Sequence, residues 1–163
     1  MSIYSRIGDL GETSNLGGQK ISKNDALIHF AGTVDELNSH LGLIKAMLSN
    51  EEGRQFIEEI QKNLMKLMSH ASDTANDKYL FSTDETEGLE REIDRLSEKI
   101  HGQSQFVLPG KNIMEAQIHI ARTVARRAER LFFAVNAEQK LCRNAGAYLN
   151  RLSDYLFVLS QQE

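Results

Sequence analysis

Apolar residues recur at spacings of three and four in five stretches of the chain, and this pattern constrains the fold most strongly. Such spacing lines one face of an α-helix, and no stretch alternates apolar and polar residues over a useful length. The five sets are Val34, Leu37, Leu41, Ile44 and Leu48; Phe56, Ile60, Leu64, Leu67 and Ala71; Leu89, Ile93, Leu96 and Ile100; Ile113, Ile120, Val124, Ala128, Leu131 and Val135; and Ala145, Leu149, Leu152, Leu156 and Leu159. The sequence therefore predicts an all-α, five-helix antiparallel bundle with a glycine-rich N-terminal arm.

The connections between these stretches carry residues typical of turns and helix starts. The single proline, Pro109, precedes Gly110 between the third and fourth stretches, and Asn112 follows as a candidate N-cap. A second break is expected over residues 76–83, where the apolar spacing lapses. At 163 residues, the chain is long enough for one domain with a sizeable core.

Composition argues against several classes of protein. A net charge of −4 disfavours non-specific nucleic-acid binding. No apolar run approaches the ~20 residues that span a bilayer, and the start lacks a secretory signal pattern. One cysteine, Cys142, permits no intrachain disulfide and is expected to be packed, while the five histidines lack H-E-x-x-H spacing. We expect a cytoplasmic protein with no nucleic-acid or membrane partner.

Four of the eleven glycines lie between Gly8 and Gly18, in the segment RIGDLGETSNLGGQKISK. Glycines allow backbone N–H groups to approach a phosphate closely, and Arg6, Lys20 and Lys23 would add positive charge. The segment matches neither the Walker A pattern nor the Rossmann fingerprint. From the residues alone, a ligand-binding arm and a plain flexible terminus are equally open.

The fourth stretch contains four arginines and one glutamate within nine residues, in IHIARTVARRAER. Helical spacing stacks Arg122, Arg126 and Glu129 on one face. In a chain of negative net charge, this row suggests an anionic ligand such as a polyphosphate. Adjacent Arg126 and Arg127 would repel each other unless an anion or a carboxylate lies close by. The alternative is a solvated helix face with weak Glu–Arg pairs, and both interpretations stay open here.

Two further polar residues adjoin apolar faces. Asp35, in GTVDELN, is a candidate partner for an arginine on another helix or subunit, with helix-start chemistry as the alternative. Asn150, in NRLSDYLF, is a poor helix former in mid-helix, which indicates a specific hydrogen bond, with pairing inside the bundle as the alternative. Met65 and Met68 are expected in the core.

Taken together, these segments resemble the PduO-type ATP:corrinoid adenosyltransferase family. IYSRIGDLGETSNLGG, GTVDELNSHLG, FVLPG, ARTVARRAER and NRLSDYLF occur in the family's order over nearly the whole chain. The resemblance implies a ferritin-like, cobalamin-adenosyltransferase-like bundle, with one domain over residues 1–163, an ATP-binding arm over 1–22 and helices over 23–162. It implies a homotrimer with active sites between subunits. It also implies transfer of the 5′-deoxyadenosyl group of ATP to the cobalt of a reduced corrinoid, cob(I)alamin, with release of triphosphate.

The resemblance also assigns residues to the ATP side of the site. Arg126 would hold the triphosphate, and Glu129 would help place the nucleotide and its Mg²⁺. The full set expected to contact ATP is Arg6, Gly8, Asp9, Gly11, Thr13, Ser14, Lys23, Arg126, Glu129 and Asn150.

On the corrin side, the resemblance pairs Asp35 of one subunit with Arg122 of another. Phe106 and Phe157 would lie against the lower face of the corrin. A bulky apolar group such as Phe106 would exclude water and the lower axial ligand, which makes cobalt(II) easier to reduce. Together with Arg126, the residues Phe106, Asp35 and Arg122 are those expected to carry catalysis.

The chain also departs from the usual pattern of the family. These departures are Ser5, Ile7, Leu10, Leu27, His29 and Lys111. They cluster in the arm and near the expected corrin edge, so they bear on ATP affinity and corrinoid preference. The expected protein partners are a reductase or a B12-dependent mutase or dehydratase. A non-catalytic corrinoid carrier, an ATP or corrinoid sensor, and a bundle without any ligand are the alternatives.

Overall fold

The structure is a computed structural model that describes residues 6–98, 100, 107–139 and 141–162. Its helices are α1 (Ala26–Met47), α2 (Glu51–Ser72), α3 (Asp84–Ser97), α4 (Ile113–Gln139) and α5 (Arg143–Ser160). A small hairpin precedes them, with strands β1 (Glu12–Ser14) and β2 (Lys20–Ser22). Each of the five predicted helices is present, which confirms the all-α class. None of the described helices is long and apolar enough to cross a bilayer.

Three of the helices have an aspartate or asparagine side chain as their N-cap. Asp25 accepts a hydrogen bond from the backbone N–H of Leu27 at 2.8 Å, at the start of α1. Asn112 accepts from the backbone N–H of Glu115 at 2.8 Å, as its position after the Pro-Gly turn predicts. Asn50 caps α2 in the same way. These bonds satisfy N–H groups that no carbonyl within the helix can reach.

Helix α4 lies between α1 and α5. On their other sides, α1 contacts α2 and α5 contacts α3. Short connections make α1 antiparallel to α2 and α4 antiparallel to α5. The edge-to-face rings of Phe30 and Phe132, with centroids 5.9 Å apart, join α1 to α4. The rings of Phe56 and Tyr155, 5.2 Å apart, join α2 to α5. One continuous core therefore runs through the bundle.

The buried face of α4 matches the predicted one only in part, with Val124, Ala128 and Val135 buried as expected. Ile113 is 82% exposed and Ile120 is 46% exposed, so both assignments to the core were wrong. The buried positions that replace them are Ile118, Ala121, Ala125 and Phe132. Three alanines, Ala121, Ala125 and Ala128, lie on this face, and α1 and α5 both pack against α4. Met65 is also exposed, whereas Met68 packs partly against the core.

The N-terminal arm has regular structure in its described part. A turn of 3-10 helix, Ile7–Leu10, leads into the antiparallel hairpin, in which Thr13 lies opposite Ile21. Gly11 joins the two at φ +84°, a backbone conformation that favours glycine. Ile21 packs against the core of the bundle, which attaches the hairpin to the helices.

Candidate functional site

The arginine row lies on α4 as predicted, but its members have different surroundings. Arg122 and Glu129 are half-buried, whereas Arg126 is exposed. Arg127 pairs with Glu36 of α1. Within the described part of the chain, Arg126 makes no hydrogen bond or ion pair, so its charge is available to a ligand. The carboxylate that offsets crowding between the two adjacent arginines therefore belongs to α1.

Asn150 connects α5 to Glu129 of α4. Its Nδ2 donates to Oε1 of Glu129 at 2.9 Å, which confirms the specific hydrogen bond expected of a mid-helix asparagine. Its Oδ1 accepts from Nη1 of Arg151 at 2.9 Å, and Nε of Arg151 donates to Glu90 of α3 at 2.8 Å. The hydrogen bond that Arg151 donates to Glu90 is the main cause that raises the pKa of Arg151. Three helices thus fix the orientation of the Asn150 amide.

The arm brings several of the predicted residues together around Lys23. The backbone N–H of Lys23 donates to the carbonyl of Gly11 at 2.8 Å. The ammonium of Lys23 lies close over Gly8, since a Cβ placed there would be 2.9 Å from Nζ and the lysine side chain would have to move. Asp9 and Ser14 are exposed and Thr13 is half-buried beside them along the chain. This arrangement places one cation over a glycine-rich backbone.

The residues expected beside the corrin are not brought together within the described part of one chain. Asp35 is exposed on α1, and its carboxylate makes no hydrogen bond or ion pair there. Nε of Arg122 donates to Nδ1 of His119 at 3.1 Å. Phe157 is half-buried on α5, and Phe106 lies outside the described residues.

Glu115 and His119 form a buried pair that the sequence analysis missed. Oε1 of Glu115 lies 3.0 Å from Nε2 of His119, with the two side chains 2% and 5% exposed. Oε2 accepts from the backbone N–H groups of Gly110, at 2.7 Å, and Lys111, at 3.2 Å. The bond from Gly110 is the main cause that lowers the pKa of Glu115, against the opposing effect of burial. The spacing of four between an acid and a histidine was the available signal.

The residues that depart from the family pattern have varied surroundings. Leu10 is 92% exposed and Leu27 is fully buried in the core. Nε2 of His29 lies 2.9 Å from Oδ1 of Asn24. Lys111 is exposed, while its backbone N–H belongs to the turn held by Glu115.

A pocket among the described residues lies away from the arginine row. It has a volume of about 450 Å³ and opens between the hairpin and the C-terminal end of α2. Its lining includes Asn15, Gln19, Asp73 and Thr74. No group of three or more acidic, histidine or cysteine side chains among the described residues is arranged to hold a metal ion. The predicted site is an open surface of α4 and α5 in the single chain.

Comparison with known proteins agrees with this bundle and its arm. The sequence profile of the cobalamin adenosyltransferase family matches residues 3–163. A corrinoid adenosyltransferase from Citrobacter freundii is 39% identical, over 99% of this chain and 94% of that protein. The corrinoid adenosyltransferase PduO from Salmonella typhimurium is 38% identical, over 100% of this chain and 50% of that protein. The chain thus spans about half the length of this PduO relative.

A solved structure has the same fold over nearly its whole length. It is a phenylalanine-to-alanine variant of a PduO-type ATP:corrinoid adenosyltransferase from Lactobacillus reuteri, complexed with cobalamin and ATP. It superimposes with a TM-score of 0.90 at 32% identity, covering 98% of this chain and 92% of the other. Fold and site therefore define a helical-bundle transferase. The chain belongs to the cobalamin adenosyltransferase family.

Proposed function

We propose that this chain transfers the 5′-deoxyadenosyl group of ATP to the cobalt of a reduced corrinoid, with release of triphosphate. The observation that carries this proposal is the arrangement on α4 and α5. Arg126 has no partner within the described residues and lies one turn before Glu129, which Asn150 holds in place. A planar cation and an oriented carboxylate suit a nucleotide triphosphate and its magnesium ion.

The arm is proposed to cover the ATP. Gly8, Asp9, Gly11, Thr13 and Ser14 would present backbone and hydroxyl groups to the nucleotide, as glycine-rich loops do with phosphates. Lys23 supports this role, because its ammonium lies against Gly8. Arg6 would add a second cation at the start of the arm.

Glu129 is the proposed protein contact of Mg²⁺. Its Oε1 accepts the hydrogen bond from Asn150, and its Oε2 has no hydrogen bond within the described residues. Mg²⁺ is commonly held by one or two carboxylates together with substrate phosphates, so one such oxygen fits this ion. When bound, Mg²⁺ would neutralise charge on the triphosphate.

The reaction requires the protein to orient the substrates and does not require it to transfer a proton. The new bond joins cobalt to C5′ of ATP, and the bond that breaks joins C5′ to the oxygen of the triphosphate. The triphosphate leaves with the electron pair, and reduced cobalt is itself the nucleophile, so no general base is needed. The protein holds C5′ in line with cobalt, and Arg126 binds the leaving triphosphate.

The corrin side is proposed to form between subunits of a homotrimer. Asp35 supports this, because its exposed carboxylate has no partner within the described part of its own chain. Arg122 would meet it from the neighbouring subunit, beside the corrin. Phe106 and Phe157 would cover the lower face of the corrin and keep the lower ligand away. A reductase would supply the electron, and a B12-dependent mutase or dehydratase would use the product.

An anaerobic assay tests the transfer directly. The protein is mixed with ATP, Mg²⁺ and chemically reduced cob(I)alamin, and the visible spectrum is followed, with a reaction lacking ATP as control. We expect the light-sensitive spectrum of an alkylcobalamin and one triphosphate per corrinoid. Binding of ATP or cobalamin without triphosphate release would contradict the proposal and favour a carrier or sensor, for which the exposed Leu10 and Lys111 would be examined first.

A further inference from the structure

Glu115 is a charged group buried in the first turn of α4. Its Oε2 receives the backbone N–H groups of both Gly110 and Lys111, and Asn112 caps the helix separately. Burying a carboxylate is unfavourable unless it is hydrogen-bonded. The lowered pKa of Glu115, caused first by the Gly110 bond, agrees with an ionised group. Asn112 caps one N–H group of the helix, and Glu115 fixes the turn that precedes the cap.

The second oxygen of Glu115 faces His119. Nε2 of His119 lies 3.0 Å from Oε1, within ion-pair distance but without the angle of a hydrogen bond, and neither atom has a hydrogen-bond partner within the described residues. On the other side of the ring, Nε of Arg122 donates to Nδ1 at 3.1 Å. An arginine N–H can only donate, so Nδ1 accepts and the ring proton of the neutral histidine lies on Nε2. That proton therefore lies on the ring nitrogen that is 3.0 Å from the carboxylate, although the N–H is not aimed at the oxygen.

These contacts make one line from the turn at residues 110–111 to the guanidinium of Arg122. The turn follows Phe106 by four residues, and Arg122 is the other residue proposed beside the corrin. Binding Nε to His119 restrains the plane of the guanidinium and leaves its Nη groups without a hydrogen bond in the described part of the chain. Arg122 thus ends the line at the proposed corrin side, and the turn at its other end is four residues along the chain from Phe106, which lies outside the described residues.

We infer that Glu115 and His119 are positioning residues for the corrin substrate. Glu115 holds the turn at residues 110–111, and its charge lies beside Nε2 of His119, where it favours a proton on that nitrogen. His119 accepts from Arg122 through Nδ1 and so sets the orientation of the guanidinium. The inference rests on the proposed function, because only that function assigns Phe106 and Arg122 to the corrin side. A group displaced by about 1 Å near a reacting centre lowers rates by about 100-fold, so such restraint matters for activity.

Two substitutions at His119 test the contributions of its two ring nitrogens separately. His119→Asn keeps an oxygen near the place of Nδ1, which can accept from Arg122, whereas His119→Gln places its amide near Nε2 and leaves Arg122 without an acceptor. We expect His119→Gln to lower kcat/KM for cob(I)alamin by about 10-fold or more while KM for ATP stays within about twofold. His119→Asn should retain more of the corrinoid kcat/KM. Equal losses for both substrates, or equal losses in the two variants, would overturn the inference.

Glu115→Gln tests the tautomer. The glutamine oxygen can still accept from Gly110 and Lys111, but its NH₂ faces Nε2 and moves the ring proton to Nδ1, against Arg122. We expect the same selective loss in corrinoid kinetics, and little further loss when Arg122→Ala is added. Glu87→Gln, in an exposed pair with Arg91, is the matched control and should behave as wild type. Full additivity with Arg122→Ala would contradict the coupling.

A measurement on the wild-type protein covers the case in which a variant does not fold. The ¹⁵N spectrum of histidine-labelled protein should include a neutral ring with its proton on Nε2 whose signals are missing from the spectrum of His119→Asn or of whichever His119 variant folds. A proton on Nδ1 would overturn the inference even in an active enzyme. An inactive wild type would overturn the proposed function, and the positioning role would fall with it.

Discussion

Arg126 and Arg127 are neighbours in the chain with different electrostatic surroundings. Arg127 pairs with Glu36, and the two side chains are 45% and 46% exposed. A pair this exposed contributes little stability, typically about 0.2–1 kcal/mol. Arg126 points to a different side of α4 and has no such partner within the described residues. Its charge is therefore the one that an anionic ligand can best compensate.

Replacing these two arginines in parallel tests that distinction. We expect Arg126→Ala to lower kcat for adenosyl transfer by about 100-fold or more, since it removes charged donors to the leaving triphosphate. Arg127→Ala should change kcat by less than about threefold, because only a surface pair is lost. Steady-state kinetics with both variants, after circular dichroism has shown intact helices, provide the check. Similar losses in the two variants would exclude a specific role for Arg126.

Contact between α4 and α5 determines how Glu129 meets Asn150. Gly146 of α5 permits this close approach, because a Cβ there would lie 2.7 Å from the ring of Phe132. Phe132 is fully buried and has the rings of Phe30 and Phe133 at its sides, so it has no room to move. The spacing of the two helices, and with it the position of Asn150, depends on a residue without a side chain.

Gly146→Ala should therefore destabilise the bundle by about 1–3 kcal/mol through overpacking. Gly88→Ala in α3 is the matched control, since its Cβ would meet only the end of the Arg91 side chain at 3.9 Å. That control should leave stability unchanged or raise it by about 0.5–1 kcal/mol, because alanine favours helix. Urea unfolding followed by circular dichroism measures both changes. Equal stability of the two variants would show that Phe132 does yield.

At the scale of the whole molecule, the site is open and some of its proposed charged groups lack polar partners within the described residues of one chain. Asp35 and the Nη groups of Arg122 have no polar partner within those residues, and Leu108 and Ile113 are 90% and 82% exposed. Apolar and charged groups of this kind are commonly covered in an assembly. The proposed homotrimer would bring them together at the corrin side.

Light scattering should give a mass three times the 18.4 kDa of the single chain. Asp35→Arg should dissociate this assembly, because it would place two cations together at each proposed interface. Adding Arg122→Asp to the same chain restores opposite charges and should recover the trimer, though not the activity. A trimer that persists in Asp35→Arg would contradict the proposed pair.

Local patterns in the sequence were sufficient for much of the fold. Spacing of three and four predicts each helix, since side chains so spaced share one helical face. The cap at Asn112 and the bond from Asn150 were also predictable, because each reflects a residue type that is unusual at its position. The order of the five motif segments along the chain was sufficient to indicate the family. Each of these features depends on residues close together in the sequence and not on contacts between distant elements.

Only the tertiary structure decided which residues on each helix meet another element. Ile120 is exposed because α1 and α5 cover another face of α4. The spacing of residues along one helix does not show on which side the neighbouring helices pack. The same holds for the pairing of Arg127 with Glu36, which leaves Arg126 without a partner in the described chain. The burial of Glu115 with His119 likewise depends on how the preceding turn folds back. Burial and charge compensation are properties of packed elements, so they arise only when the helices come together.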